Sequence, residues 1–146
     1  MSSSKSTETQ DALFEEVRQA IANIPYISSL GVELQKVESD KAELRMPHRD
    51  DLVGDAGTGI LHGGVISSML DCVSATAYKQ ASNTPDRLVT LDLRIDYQKP
   101  ATPGKDVIAA AHCYKVTKTI GFVRGIAYHE DVDDPIATSV ATFMTP

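Results

Sequence analysis

The sequence contains little cysteine, and this scarcity excludes the frameworks of disulfides or metal ions on which cysteine-rich domains depend. Its two cysteines, Cys72 and Cys113, lie inside apolar segments, without a Cys-x-x-Cys or Cys/His ligand spacing. Isolated cysteines of this kind are usually buried free thiols rather than members of a disulfide or a zinc site. We therefore predict that the protein holds no metal and works in a reducing, cytoplasmic environment.

Positive charge and long apolar runs are also lacking. The 146 residues include 20 acidic and 14 basic side chains, a formal net charge of -6, so no electrostatic footprint for nucleic acid or an anionic membrane is expected. No stretch approaches the roughly 18 apolar residues of a membrane span, and the opening "MSSSKSTETQ" lacks the apolar run of a signal peptide. We expect no nucleic-acid partner and no membrane association.

Several common cofactor and catalytic motifs are missing as well. The segment "GTGILHG" approximates the dinucleotide-binding pattern GxGxxG but places His62 where the third glycine belongs, and no GxxxxGK[ST] phosphate loop is present. A GxSxG nucleophile elbow is also absent, which disfavours a serine hydrolase of the α/β type. No cofactor is therefore expected.

The patterns that are present fit one α+β domain behind a polar N-terminal segment. Residues 1–10 are predicted to form a disordered tail, and residues 11–146 are long enough to bury a core. Helical spacing and strand-like alternation of apolar residues follow the tail. The predicted order is a helix over 11–24, a hairpin over 31–47, a long helix from residue 63, and four strands in a meander over 89–97, 106–116, 120–130 and 136–144.

The long helix is apolar or small on nearly every side. Between Gly63 and Tyr78 its only ionisable groups are Asp71, Cys72 and Tyr78 itself. Such a helix is expected to be enclosed, and the simplest enclosure is an antiparallel sheet that curls around it. Asp71 is then a carboxylate within an enclosed helix, which requires a hydrogen-bonding partner or a function.

Helical geometry separates Asp71 from His62, the residue just before the helix. At about 100° and 1.5 Å per residue, their nine-residue separation leaves them on opposite faces and about 13 Å apart along the axis. One chain therefore cannot bring both to a single substrate atom. A polar face of small residues remains free to meet the same helix of a twofold-related subunit, and this face comprises Gly64, Ser67, Ser68, Asp71, Ser74, Ala75 and Tyr78.

The start of the long helix has a chemistry of its own. The first N–H groups of a helix lack internal partners and carry the positive end of its dipole. Gly63 and Gly64 would let an oxygen with developing negative charge approach these groups closely. A carbonyl polarised there, and attacked with the help of a carboxylate, makes a minimal acyl-transfer site.

Two segments resemble a known family. "HGGVISSMLD" followed by "VTLDLRIDYQKPATPG" is similar to the hotdog-fold acyl-CoA thioesterases, especially the branch typified by phenylacetate-pathway thioesterases. The resemblance covers about residues 31–144 and implies a sheet wrapped around a central helix, dimers that often pair into tetramers, and active sites at the dimer interface.

The resemblance also implies roles for individual residues. His62 and Gly63 would orient and polarise the thioester carbonyl, with the amide of Gly63 or Gly64 as oxyanion donor. Asp71 of the opposite subunit would act as nucleophile or as general base for water, which Thr90 would help to hold.

Asp55 marks a departure from the family, because many relatives carry an asparagine shortly before the histidine and the two glycines. The nearest counterparts here are Asp55 and Ala56, and a carboxylate in place of an amide loses a hydrogen-bond donor. Asp55 is a candidate catalytic residue, and a turn former is the equal alternative. The candidate substrate-binding residues are Gly64, Thr90, Ser74 and Lys118, the last at a hairpin tip where it would meet a coenzyme A phosphate.

The other candidates also have simpler interpretations. Asp71 could be a buried carboxylate that neighbouring serines satisfy, His62 a helix cap and Thr90 an ordinary strand residue. Lys118 could be a solvated turn residue, and Cys72, without a base beside it, a core residue.

The predicted function is hydrolysis of acyl- or aryl-CoA thioesters by a homodimer or homotetramer, without metal or cofactor. The alternative is a non-catalytic acyl-CoA-binding hotdog protein that senses its ligand. A hotdog dehydratase or hydratase would need a differently placed histidine and acid pair.

Overall fold

The computed structural model describes residues 2–83 and 87–146. In these ranges lie three α-helices, α1 (Ser2–Ala22), α2 (Pro25–Ser29) and α3 (Gly63–Ser82). The strands are β1 (Glu33–Val37), β2 (Lys41–Met46), β3 (Val53–Asp55), β4 (Ile60–Leu61), β5 (Val89–Tyr97), β6 (Val107–Val116), β7 (Ile120–Tyr128) and β8 (Ala137–Met144). None of the described helices has both the length and the apolar character that crossing a membrane requires.

Six strands form one antiparallel sheet that wraps around α3. The strand order is β1-β2-β6-β7-β8-β5, while β3 and β4 pair separately. The helix α3 packs against β2, β6 and β7, and its side chains Met69, Val73 and Ala77 are fully buried there. The predicted hairpin is β1 and β2, and the predicted α+β hotdog fold is confirmed.

The predicted meander of four strands is wrong in the position of β5. This strand does not pair with β6, its successor in the chain, but with β8 along its whole length. Just after β5, the backbone N–H groups of Gln98 and Lys99 both donate to the Ile136 carbonyl, at 2.8 and 3.2 Å. Alternation of apolar residues identifies the buried face of a strand but not its neighbour. As a result, β5 forms one edge of the sheet.

The helix α1 lies against the other edge strand, β1. It corresponds to the helix predicted over 11–24, and Val17 and Ile21 are its buried side chains. It begins at Ser2, however, and so includes most of the segment predicted as a disordered tail. The Gln10 amide donates to the Val37 carbonyl at 2.7 Å, which ties this earlier part of the helix to the end of β1.

The buried stripe of α3 is wider than predicted. Ser74 and Tyr78 were expected on the free polar face, but both are fully buried. The Tyr78 ring stacks on Phe143, with ring centroids 5.8 Å apart, and its hydroxyl lies 2.5 Å from Thr145 Oγ1. The sheet curls far enough around the helix to cover positions that a single apolar stripe would leave exposed.

Gly121 is expected to be essential for stability because β7 passes directly over Tyr78. A Cβ at Gly121 would lie 2.1 Å from Tyr78 Cδ2, and the ring cannot move away because Phe143 and Thr145 hold it. Gly121→Ala should therefore lower the free energy of unfolding by about 1–3 kcal/mol, as overpacked core substitutions do. Urea denaturation followed by circular dichroism measures this change.

Gly63→Ala is the matched control for that experiment, because a Cβ at Gly63 would meet Tyr97 at 3.7 Å, an ordinary contact. Its urea midpoint should stay near that of the wild type. In a Tyr78→Leu background, Gly121→Ala should destabilise the protein less, since the clashing ring is gone. Equal effects in both backgrounds would rule out the ring as the cause.

Candidate active site

His62 holds the start of α3 as its N-cap. Its backbone N–H donates to the Leu52 carbonyl at 2.9 Å, and its Nδ1 accepts the N–H of Gly64 at 2.8 Å. Because Nδ1 is the acceptor, the neutral ring carries its proton on Nε2. The capping interpretation and the active-site interpretation are therefore compatible, since the exposed ring still offers an N–H donor at the helix start.

The two glycines at the helix start serve different purposes. A Cβ at Gly64 would lie 2.9 Å from His62 Nδ1, so a side chain there would displace the imidazole. Gly63 is exposed and is the first helical residue, so the helix offers its N–H no acceptor. Of the two predicted oxyanion donors, the Gly64 amide is bonded to His62, and the Gly63 amide is available to a ligand.

Tyr97, a residue that the motif analysis misses, ties the end of β5 to this helix start. Its hydroxyl donates to the Gly63 carbonyl at 2.8 Å and also contacts Ser67 Oγ. Alternation along β5 predicts an inward-facing core residue, yet 52% of Tyr97 is exposed. The sequence did offer one signal of this contact. The apolar alternation ends in a tyrosine rather than an aliphatic residue, and a tyrosine hydroxyl usually has a hydrogen-bond partner.

Asp71 is half-buried on α3, and β5 also fixes its orientation. The hydroxyl of Thr90, near the start of β5, donates to Asp71 Oδ1 at 3.1 Å. Thr90 is thus more than an ordinary strand residue, because it orients the carboxylate. No residue in the described part of the chain donates to the other carboxylate oxygen, which leaves it open to a water molecule or a substrate.

The serines around Asp71 do not satisfy its carboxylate. Ser67 and Ser68 donate to the backbone carbonyls of Gly63 and Gly64, at 3.2 and 2.8 Å. Ser74 points to the sheet, where its Oγ would lie 3.3 Å from a Cβ at Gly125. The interpretation of Asp71 as a carboxylate bonded by its neighbouring serines therefore loses its support.

Asp55 is engaged in a turn. Its Oδ1 accepts the N–H of Gly57 at 2.9 Å, and its Oδ2 accepts the hydroxyl of Thr58 at 3.1 Å. Its backbone carbonyl accepts the N–H of Gly59 at 2.9 Å. Both carboxylate oxygens are thus used within the loop between β3 and β4, a pattern that favours the turn-forming alternative.

Ser74 and Lys118 lie away from Asp71. Ser74 is fully buried against β7 and β8, so it cannot meet a substrate that enters beside the carboxylate. Lys118 is exposed in the turn between β6 and β7 and does not line the cleft described next. These two predicted substrate contacts are not part of the site that the structure forms around Asp71.

A cleft of about 1100 Å³ opens beside Asp71, between α3 on one side and α1 with α2 on the other. Cys72 also lines it. Burial, reinforced by the neighbouring Asp71 carboxylate, raises the pKa of the Cys72 thiol to about 11. A thiol with such a pKa is protonated at neutral pH, so Cys72 is a wall of the cleft and not a nucleophile.

The two halves of the predicted site remain apart within one chain. The helix α3 is continuous from Gly63 through Asp71, so the two residues are about 12 Å apart along its axis. One end of the helix thus presents an N–H donor with a capping histidine, and its middle presents an oriented carboxylate beside a cleft. An N–H donor and an oriented carboxylate are the groups that a hydrolytic acyl-transfer site requires.

The chain belongs to the thioesterase superfamily, whose family model matches residues 58–136. It is 30% identical over 137 residues to the medium/long-chain acyl-CoA thioesterase YigI of Escherichia coli, covering 85% of this chain and 87% of that protein.

Solved structures share the fold. A protein from Pseudomonas aeruginosa superposes with a TM-score of 0.83 at 34% identity, covering 92% of this chain and 99% of that one. A mutant of the phenylacetic acid degradation protein PaaI from Thermus thermophilus superposes with a TM-score of 0.73 at 24% identity, over 84% of this chain and 99% of the other. The second similarity concerns the fold alone.

Proposed function

We propose that the protein hydrolyses acyl-CoA thioesters at a site completed by a second copy of the chain. The Gly63 N–H stabilises the oxyanion that forms on the thioester carbonyl, and the Nε2–H of His62 orients that carbonyl. The Asp71 carboxylate of the other chain attacks the carbonyl carbon or takes a proton from the water that does. The carbon–sulfur bond breaks and coenzyme A leaves with a free thiol. Where Asp71 is the nucleophile, water then hydrolyses the mixed anhydride between Asp71 and the acyl group, so that both routes release a carboxylic acid.

The observation that carries this proposal is that one edge strand, β5, is bonded to both halves of the site. Thr90 at its beginning holds the Asp71 carboxylate at 3.1 Å, and Tyr97 at its end holds the Gly63 carbonyl at 2.8 Å. None of the described strands pairs with β5 on its outer side. The strand also exposes about half of Val89 and Leu91, and an unpaired apolar edge of this length favours pairing with another strand.

Pairing β5 with its copy about a twofold axis brings the two halves together. The strand runs from Val89 to Tyr97, so an axis at its centre passes through Leu93. Antiparallel pairing then sets Val89 of one chain opposite Tyr97 of the other. Each Asp71 thus comes beside the helix start of the other chain, and the dimer has two equivalent sites.

The named relative supports the substrate class, since YigI is described as a medium/long-chain acyl-CoA thioesterase. The proposal includes a homodimer, or a tetramer made of two such dimers, which light scattering distinguishes by mass. It also includes the cytoplasmic location expected from two buried free thiols.

Release of thiol from a panel of acyl- and aryl-CoA esters tests the activity. Free coenzyme A, detected with a disulfide reagent, should accumulate over many turnovers for at least one ester class. Saturable binding without turnover would instead support the non-catalytic sensor. The sequence feature that favours this alternative is Asp55, which stands where many relatives carry an asparagine.

Mixing two inactive variants should restore activity if the site is shared between chains. Asp71→Asn removes the carboxylate, and Gly63→Pro removes the N–H donor. In a mixed dimer one site carries both changes and the other site carries neither. Random reassociation should therefore recover about a quarter of the wild-type activity, as expected for an isologous dimer.

Each variant refolded alone is the control for this mixture and should stay inactive. If one chain supplied both groups, every site in the mixed dimer would carry one lesion, and the mixture would also stay inactive. The comparison is made on the best ester of the panel, at equal total protein concentration.

A further inference from the structure

The cleft beside Asp71 begins at the proposed reacting carboxylate and extends along α3. Near Asp71, the Tyr26 hydroxyl lies 2.8 Å from Ser68 Oγ and joins α2 to α3. The lining also includes Leu13 on α1 and, farther along α3 from Asp71, Asn83 just after the helix. From Asp71 to Asn83 the cleft spans about 18 Å of helix axis.

The walls of this cleft are apolar in its middle. Val17 and Ile21 on α1 and Ile24 just after it line the cleft, together with the small side chains of Cys72 and Ala75 on α3. Ile24 is 44% exposed, so an apolar ligand in the cleft would cover its side chain. At about 1100 Å³, the cleft exceeds the roughly 300–1,000 Å³ of most small-molecule sites. It therefore has room for more than a single ring.

The charges around the cleft do not favour a polyanion. Lys79 and Arg87 line it, but so do the carboxylates of Glu16 and Asp71, so the charges balance. The phosphates of coenzyme A need a net positive surface or helix N-termini, whereas an aliphatic chain needs only apolar walls. Of the two parts of an acyl-CoA molecule, the acyl chain fits this cleft.

We propose that the cleft between α1 and α3 binds the acyl chain and selects unbranched aliphatic acyl groups of medium or greater length. The assignment rests on the thioesterase function proposed above and adds the element that sets its specificity, the N-terminal helix α1. Each methylene that enters apolar surroundings raises transition-state affinity by about two- to fourfold. The rate constant kcat/KM should therefore rise from butanoyl-CoA to dodecanoyl-CoA.

Leucine substitutions at three alanines test the assignment. Ala75 lies one turn beyond Asp71, and Ala20 lies across the cleft on α1. Ala22 is exposed on the same helix, outside the cleft. Ala75→Leu and Ala20→Leu should each lower the ratio of kcat/KM for dodecanoyl-CoA to that for butanoyl-CoA by about tenfold, as occluded hydrophobic pockets do.

Ala22→Leu is the matched control and should leave this ratio at the wild-type value. An unchanged ratio in both cleft variants would overturn the assignment. Equal slowing of both esters would overturn it as well, because it would place coenzyme A rather than the acyl chain in the cleft. If Ala75→Leu does not fold, Ala20→Leu still decides the question.

Binding of non-hydrolysable thioethers separates failure of this assignment from failure of the thioesterase function. Calorimetry with dodecyl-CoA and butyl-CoA needs no turnover. If the wild type hydrolyses no ester but binds dodecyl-CoA more tightly, and the cleft variants lose that preference, the chain site stands and the hydrolytic function is wrong. Equal affinity of the wild type for both thioethers would contradict the chain site.

Discussion

Asp71→Asn should lower kcat/KM for the best acyl-CoA ester by about a hundredfold to ten-thousandfold, the range for loss of a positioned acid or base. The reason is chemical and not structural. An asparagine has the same shape and its Oδ1 can still accept the Thr90 hydroxyl, which lies 3.1 Å from the carboxylate in the wild type. It cannot, however, take a proton from water or attack a carbonyl as a carboxylate does. Steady-state kinetics on the ester panel measure the effect.

Asp11→Asn is a suitable control, because Asp11 is an exposed aspartate on α1. This control should keep wild-type activity, and both variants should keep the wild-type urea midpoint. An Asp71→Asn enzyme with full activity would mean that another group activates the water, and the proposed mechanism would have to be abandoned.

Gly63→Pro should lower kcat by about a hundredfold to a thousandfold, the usual effect of losing one oxyanion donor. Gly63 is the first residue of α3, where proline is well tolerated because its missing N–H would have no helical partner. The preceding residue, His62, has φ of -59° and ψ of 133°, a conformation that a following proline favours. The substitution thus removes one N–H with little strain on the backbone.

Gly63→Ala separates the N–H from the added bulk. It retains the donor and places a Cβ at an ordinary 3.7 Å from the Tyr97 ring, so it should keep most of the activity. If the alanine and proline variants were equally impaired, crowding at the helix start would explain the loss, and the Gly63 amide would not be the oxyanion donor.

Local patterns in the sequence predict most of the secondary structure and one end of the site. The apolar alternation of β5 and the histidine followed by two glycines place a strand over 89–97 and a helix start at residue 63, and both are observed. These features depend on neighbours in the chain, which determine backbone conformation directly.

The pairing of β5 with β8 could not be predicted in this way, because it joins residues that are 40 to 55 positions apart in the chain. The same holds for Tyr97. Its hydroxyl reaches Gly63 across 34 positions of the chain, and alternation indicates only that its ring faces inward. For Asp55 the deciding contacts are local instead. Its two carboxylate oxygens accept hydrogen bonds from residues two and three positions later in the chain. A motif comparison with relatives does not reveal such local bonding.

The hydrogen bonds that join β5 to Asp71 and to Gly63 also have a consequence for the proposed dimer. A single protomer would carry two incomplete sites. The site at its Gly63 would lack the carboxylate, and the site at its Asp71 would lack the oxyanion donor. On dilution the rate of hydrolysis would then fall more steeply than the total protein concentration, because the concentration of dimer depends on the product of two protomer concentrations. Hydrolysis per milligram of protein should therefore fall as the protein is diluted below the dissociation constant of the proposed dimer.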